Sequence, residues 1–491
     1  MSIPTLVTFI VYFVLLLGIG FYFYRRSVSI EDYLLGGRGM GAWVTALSAQ
    51  ASDMSGWLLM ALPGAIYAYG MGKVWIPIGL FLGTVLNWKL VSSRLRVYTQ
   101  KTDSITLPCF FEQRFGDPTG LLRVVSAIII LIFFTIYASS GLMATGKLFE
   151  STFGIQYRTA VIVGGGIIIA YTFLGGFLAV CWTDLFQGAL MVLALIIVPA
   201  VAYVRVGGAE AISQAMKFKE ISTCLLPAKG TVGLLAIISA MAWGLGYFGQ
   251  PHILARFMSV KSVSKLPESM TIAIVWVFLS LTGAVIIGFV GIGMFENLAV
   301  EEGEHEKVFI YMIRQVCHPW LGGIMLAAIL SAIMSTIDSQ LLVSSSALTE
   351  DFYRKAIKKN ATEKEIILVG RICVIIISVI ALILALPRGE TILKIVAYAW
   401  GGFGAAFGPL ILFALFSRKT SWQAALAGMV MGTVVLVVWK QVGLGEYMYE
   451  IVPGFIANCL TIFLVNIVAG QKNQKVLRQY EEVVGEITAG K

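Results

Sequence analysis

The sequence predicts an all-α polytopic membrane protein of about thirteen transmembrane helices, on three observations. Of its 491 residues, 58% are hydrophobic and only 13% charged, a composition that would precipitate a water-soluble domain. Apolar windows of about 17 to 25 residues, the length that crosses a bilayer, recur along the whole chain. Lys and Arg gather in short loops between those windows, the distribution of cytoplasmic loops.

The windows fall near 3–24, 40–69, 74–92, 121–148, 158–177, 184–204, 231–255, 269–295, 319–348, 366–386, 391–416, 422–440 and 451–470. The first lacks a preceding basic stretch and a small-residue cleavage site, so it is expected as a retained span and not a signal peptide. An odd number of spans places the termini on opposite sides. The basic loops Arg25/Arg26/Arg38, Lys89 to Arg123, Arg256/Lys261/Lys265, Arg354 to Arg371, Arg418/Lys419 and the tail from Lys472 then share one face. That face is expected in the cytoplasm, with the N-terminus outside, the C-terminus cytoplasmic and the bilayer the plasma membrane. Glu296, Glu301, Glu302, Glu304 and Glu306 lie on the other face. The loop charges are expected only to set topology, and their distribution excludes nucleic acid as the partner despite a net charge of +9. Cys109, Cys181, Cys224, Cys317, Cys373 and Cys459 have no metal-ligand spacing and are expected as free thiols.

The second and seventh windows are long, interrupted by polar or Gly/Pro residues, and run in opposite directions. Such a pair marks an inverted repeat. Residues 39–177 with 184–204 are expected as the first repeat and 231–416 as the second, in one transmembrane domain over 1–470. Residues 471–491 form a short cytoplasmic tail, helical or disordered.

Asp53 lies inside the second window, among Ser48, Ala51, Ser52, Ser55 and Gly56. An acid at membrane depth costs several kcal/mol and usually lines an ion or substrate path. Small residues around it predict a helix that unwinds and frees carbonyls for a cation. In the ninth window Ala332, Ser335, Thr336 and Ser339 follow three- and four-residue steps and share a helix face. Either their hydroxyls complete an all-oxygen shell suited to sodium, or small residues merely let two helices pack closely. Either Asp338 and Ser339, one turn further along, and Asp184, at the start of the sixth window, form a second ion or proton station on the exit path, or these acids face the cytoplasmic vestibule or pair with an arginine. Tyr137 lies in the aromatic run 133–142, and Trp243 and Tyr247 in 243–252, where three glycines and Pro251 preclude an uninterrupted helix. Aromatic pairs beside a break suit a small amphipathic solute, and they also serve as packing or interface anchors. No nucleophile with a base and no metal-ligand cluster is found, so an enzyme is not expected; His252, His305 and His318 are the only histidines.

From Pro4 to Gly470 the sequence resembles the sodium/solute symporters. The most specific strings are Leu-Gly-Gly-Arg (35–38), Ala-Ser-Asp-Met-Ser-Gly-Trp-Leu-Leu-Met (51–60), Leu-Pro-Gly-Ala (62–65), Gly-Gly-Phe-Leu-Ala-Val (175–180), Gly-Tyr-Phe-Gly-Gln-Pro-His-Ile-Leu-Ala-Arg-Phe-Met (246–258) and Gly-Phe-Gly-Ala-Ala-Phe-Gly-Pro (402–409). The resemblance implies a five-plus-five inverted-repeat, LeuT-like core and sodium-driven uptake of L-proline by alternating access, with sodium as coupling ion, no other cofactor and no obligate protein partner. It also implies a sodium site of the Ala51, Met54 and Ala332 carbonyls with the Ser335 and Thr336 hydroxyls, Asp53 being needed for sodium use. The implied substrate pocket is Ser55, Gly56, Trp57, Tyr137, Trp243, Tyr247 and Pro251. Family members carrying pantothenate, a sugar or a carboxylate are the nearest alternative. A proline sensor on the same scaffold is a further one, against which stands the short tail.

Overall fold

A computed structural model describes residues 3–24, 30–174, 176–226, 230–300, 303–358 and 360–489. Arg25, Arg26, Glu301 and Glu302 of the expected loops lie outside those residues. The described chain is helical, with no strand and one isolated bridge, Met40 to Val260.

The helices that frame the site are α1 (Ile3–Tyr24), α2 (Ala42–Asp53), α3 (Leu62–Tyr69), α4 (Trp75–Asn87), α5 (Ser93–Lys101), α6 (Leu107–Phe115), α7 (Leu121–Phe153), α8 (Tyr157–Leu174), α9 (Phe177–Val206), α10 (Gly230–Met241), α11 (Pro251–Ser259), α12 (Leu266–Met294), α13 (Pro319–Ser346), α14 (Glu363–Ala385), α15 (Ile392–Phe416), α16 (Trp422–Gln441), α17 (Ile451–Val468) and α18 (Gln474–Thr488). Among the described residues eleven helical stretches are each long and apolar enough to cross a membrane. The expected second and third windows fall in one such stretch of 45 residues beyond the break at residues 54–56, and α8 lies over the expected fifth window. Length and hydropathy therefore mark eleven candidate stretches; one of them holds two of the expected windows, and α8 lies over a further one.

Exposed apolar side chains such as Val14, Ile132, Val379, Ile383 and Leu464 would be costly in water. They suit hydrocarbon. By contrast α13 and α15, each the most enclosed stretch of the bundle, bury most of their length at its centre. α9 begins at Phe177, so Asp184 is two turns inside the helix and not at its start. The apolar run Phe177–Cys181 allows this extension once Gly176 has capped the helix in an extended conformation. Likewise Pro251, whose fixed φ and missing N–H suit the first helical position, opens α11 and carries the seventh span past its expected end to Ser259. Arg256 is thereby placed inside the protein, fully buried, and is not the loop charge expected from sequence. The tail forms α18, with Val476 and Val483 buried seven residues apart. It is tied to the body by Lys101 with Glu482 and Glu486, at 2.9 and 2.8 Å.

Candidate functional site between two broken helices

α2 ends at Asp53 because Met54 leaves helical space, with φ −85° and ψ 81°. In a continued helix the Ser55 amide would donate to Ala51. Here it donates to the Asp53 carbonyl at 3.0 Å. The released Ala51 carbonyl turns toward α13, where Ser335 Oγ donates to it at 2.7 Å and Thr336 Oγ1 lies 3.4 Å away. The two hydroxyl oxygens are also 3.2 and 3.1 Å from the Ala332 carbonyl oxygen. The structure thus brings Ala51, Ala332, Ser335 and Thr336 into one buried oxygen cluster, with Met54 at the break itself. Only a hard cation of modest charge suits neutral oxygens of this kind.

Asp53 is fully buried. Tyr247 Oη donates to its Oδ2 at 2.7 Å, and its Oδ1 has no hydrogen-bond partner among the described residues. Its carbonyl accepts from Trp57 Nε1 at 3.2 Å and lies 3.4 Å from Tyr137 Oη. A buried carboxylate with a single donor carries a large desolvation cost, which a nearby cation offsets. Gly56 is required by close approach: a Cβ there would sit 2.9 Å from Ala144 Cβ and 3.1 Å from Ile333 Cγ1. Ser55 Oγ accepts from the Trp57 amide at 3.4 Å, just ahead of the restarted helix.

The second break, Ala242–Gly249, is a three-per-turn helix. Residues four apart then differ by about 120° in direction, so Trp243 and Tyr247 diverge where an α-helix would have aligned them. Tyr247 points at Asp53 and meets Trp400 edge-on at 5.0 Å. Trp243 meets Trp57 at 6.5 Å and Tyr449 at 5.5 Å. Its carbonyl accepts from Trp400 Nε1 at 2.8 Å. Trp243 also borders a cavity of about 680 Å³ that is lined by Ile76, Lys73, Lys394, Tyr449 and Glu450 among others. Pro251 is not brought to that cavity. It borders a separate small cavity with Leu35, Ile130 and Val343.

The two acids of the expected second station part company. Asp184 Oδ2 accepts from Ser48 Oγ at 2.6 Å and pairs with Arg256 Nη2 at 3.2 Å. Arg256 Nη2 also donates to Ser339 Oγ at 2.6 Å, so Ser339 belongs with Asp184. Asp338 is held by Thr172 of α8 and has one carboxylate oxygen without a partner among the described residues. Thr172 and Trp400 were not named from the sequence; Arg256 was named only as a loop charge, and Ser48 only as a small neighbour of Asp53, three residues before Ala51 on the same helix face.

A helix broken after Asp53 whose freed carbonyl meets the hydroxyls of α13, beside a second broken helix that reaches Asp53 through Tyr247, inside a bundle of apolar spans, defines a secondary transporter. The model of the sodium:solute symporter family matches residues 33–432, and the chain belongs to that family. It is 48% identical to the sodium/proline symporter of Salmonella typhimurium, over 95% of this chain and 93% of that protein. It is 46% identical to the high-affinity proline transporter PutP of Bacillus subtilis, over 95% and 98% respectively. Among solved structures, a sodium-coupled sialic acid symporter in a substrate-bound, outward-open state superposes with a TM-score of 0.81 at 16% identity, covering 96% of this chain and all of that one. That last likeness bears on the fold.

Proposed function

We propose that the protein is a sodium:L-proline symporter of the plasma membrane, with its N-terminus outside and its C-terminus cytoplasmic. The observation that carries this reading is the Ala51 carbonyl, freed at the first break and met by the Ser335 and Thr336 hydroxyls. Sodium is held by the carbonyls of Ala51, Met54 and Ala332 and by those two hydroxyls, with Asp53 supplying the nearby negative charge. Proline binds beside the first break, among Ser55, Gly56, Trp57 and Tyr137, with Trp243 and Tyr247 flanking it in different directions, its ring on aromatic faces and its ammonium attracted by them. Pro251 acts at a distance, by starting α11 after the break. The choice of proline is supported by the relatives named as proline carriers at 46–48% identity. The breaks fall in the first span of each proposed repeat, 39–177 with 184–204 and 231–416.

Sodium between α2 and α13 ties the two helices and favours the state that binds proline; by linkage proline tightens sodium equally. A charge moving through 100 mV is worth about 2.3 kcal/mol, so one sodium supports roughly a fifty-fold proline gradient before its own gradient is counted. The test is uptake of radiolabelled L-proline into proteoliposomes under an inward sodium gradient, with potassium as control. Accumulation above equilibrium with sodium alone is expected. Sodium-driven uptake of another solute, with proline inert, would discard the pocket, and absence of any sodium dependence would discard the ion site.

A further inference from the structure

We propose that Arg256 is a tethered cation: its guanidinium fills an ion position, so the chain itself carries a positive charge that a further sodium would otherwise bring. The inference rests on the sodium-coupled transport proposed above. Its ground is the set of oxygens around the guanidinium. Arg256 Nη2 meets Asp184 Oδ2 at 3.2 Å and Ser339 Oγ at 2.6 Å, Nε meets Ser48 Oγ at 3.0 Å, and Nη1 meets the His252 carbonyl at 3.0 Å. One carboxylate, two hydroxyls and a carbonyl are a ligand set for a hard cation. Arg256 and Asp184 are both fully buried, and the Phe177 ring closes the back of the site 5.1 Å from the guanidinium.

The position is a displaced copy of the sodium cluster. Ser48 stands one turn before Ala51 on α2, and Ser339 one turn after Ser335 and Thr336 on α13, so the same pair of helices frames both. A helical turn is about 5.4 Å long, the scale on which two cation positions lie side by side. What distinguishes them is the source of the charge. The first cluster has no basic side chain among the described residues, whereas the second receives Arg256 from α11, on the far side of the second break. A purely structural ion pair predicts only lost stability when Arg256 is removed. A tethered cation predicts in addition that sodium enters the vacated oxygens.

The experiment compares the parent with Arg256→Ala and with the double variant Asp184→Asn/Arg256→Ala. Sodium and proline fluxes are counted together in proteoliposomes, and thermal unfolding of the purified proteins is followed against sodium, with potassium as control and no proline present. Arg256→Ala is expected to move about one more sodium per proline than the parent, with a steeper sodium activation curve. Its unfolding temperature should rise more with sodium than the parent's does. The double variant, which lacks the carboxylate, should return to the parent's ratio and the parent's sodium response. An unchanged ratio and an unchanged sodium response in Arg256→Ala would overturn the proposal. So would an Arg256→Ala protein that fails to fold even in high sodium while the double variant folds, because free sodium would then be unable to stand in for the guanidinium. If the parent carries a solute other than proline, the flux arm fails for all three proteins, yet the unfolding arm still decides the role of Arg256.

Discussion

Ser335→Ala separates the two readings of the hydroxyl face on α13. The substitution removes one oxygen that lies 2.7 Å from the Ala51 carbonyl and 3.2 Å from that of Ala332, and it leaves a side chain that fits the same space. Without sodium the Ala51 carbonyl loses its shortest partner, but Thr336 Oγ1 stands 3.4 Å away and can close on it, so the cost to folding is on the order of 1 kcal/mol. With sodium bound, an oxygen that contacts a charge is lost, and such contacts are worth about 1.5–3 kcal/mol. The half-activating sodium concentration should therefore rise roughly 10- to 150-fold. Thermal unfolding reports the same quantity by linkage: a parent at a hundred times its dissociation constant gains about 2.7 kcal/mol from sodium, and a tenfold weaker variant at the same concentration about 1.4 kcal/mol. The assay pairs sodium titrations of proline uptake in proteoliposomes with sodium titrations of unfolding in detergent. If Ser335→Ala unfolds at a lower temperature yet keeps the parent's sodium dependence within about twofold, the hydroxyl face is helix packing and the ion site is misplaced.

Asp53→Asn should weaken sodium activation far more than proline affinity measured at saturating sodium; equal sodium dependence in variant and parent would remove Asp53 from the ion site. Trp243→Ala should raise the proline concentration for half-maximal uptake about tenfold or more, as expected for a buried aromatic contact worth about 1.5 kcal/mol, and an unchanged value would make the ring a packing element. Gly246→Ala places a Cβ 1.9 Å from Trp400 Nε1 and forces that ring off the Trp243 carbonyl. Overpacking of this kind costs about 1–3 kcal/mol, so a lowered unfolding temperature is expected, and parental stability would show that Trp400 moves freely.

Hydropathy finds a charge in a span only when the charge is alone. Asp53 stood out because nothing near it in sequence, nor among the described residues of the structure, neutralises it, and the small residues that let α2 break are its immediate neighbours. The oxygen face of α13 was equally legible, since three- and four-residue spacing is a local property of a helix. Arg256 was pushed into a loop by the same arithmetic, because an arginine weighs against any window that contains it, whatever it touches. Its side-chain partners lie 72, 83 and 208 residues away in the chain, and no one-dimensional pattern joins them. The divergence of Trp243 and Tyr247 was hidden for a related reason: the glycines announce a break, but whether the chain then unwinds or tightens to three residues per turn depends on Trp400 packing against Gly246. Sequence therefore exposes best the charge whose counterion comes from solution, since a charge matched within the chain can be buried at a point where hydropathy has already ended the span. On that argument the legibility of Asp53 and the concealment of Arg256 have one cause: among the described residues the first has no counterion from the chain, and the second has Asp184.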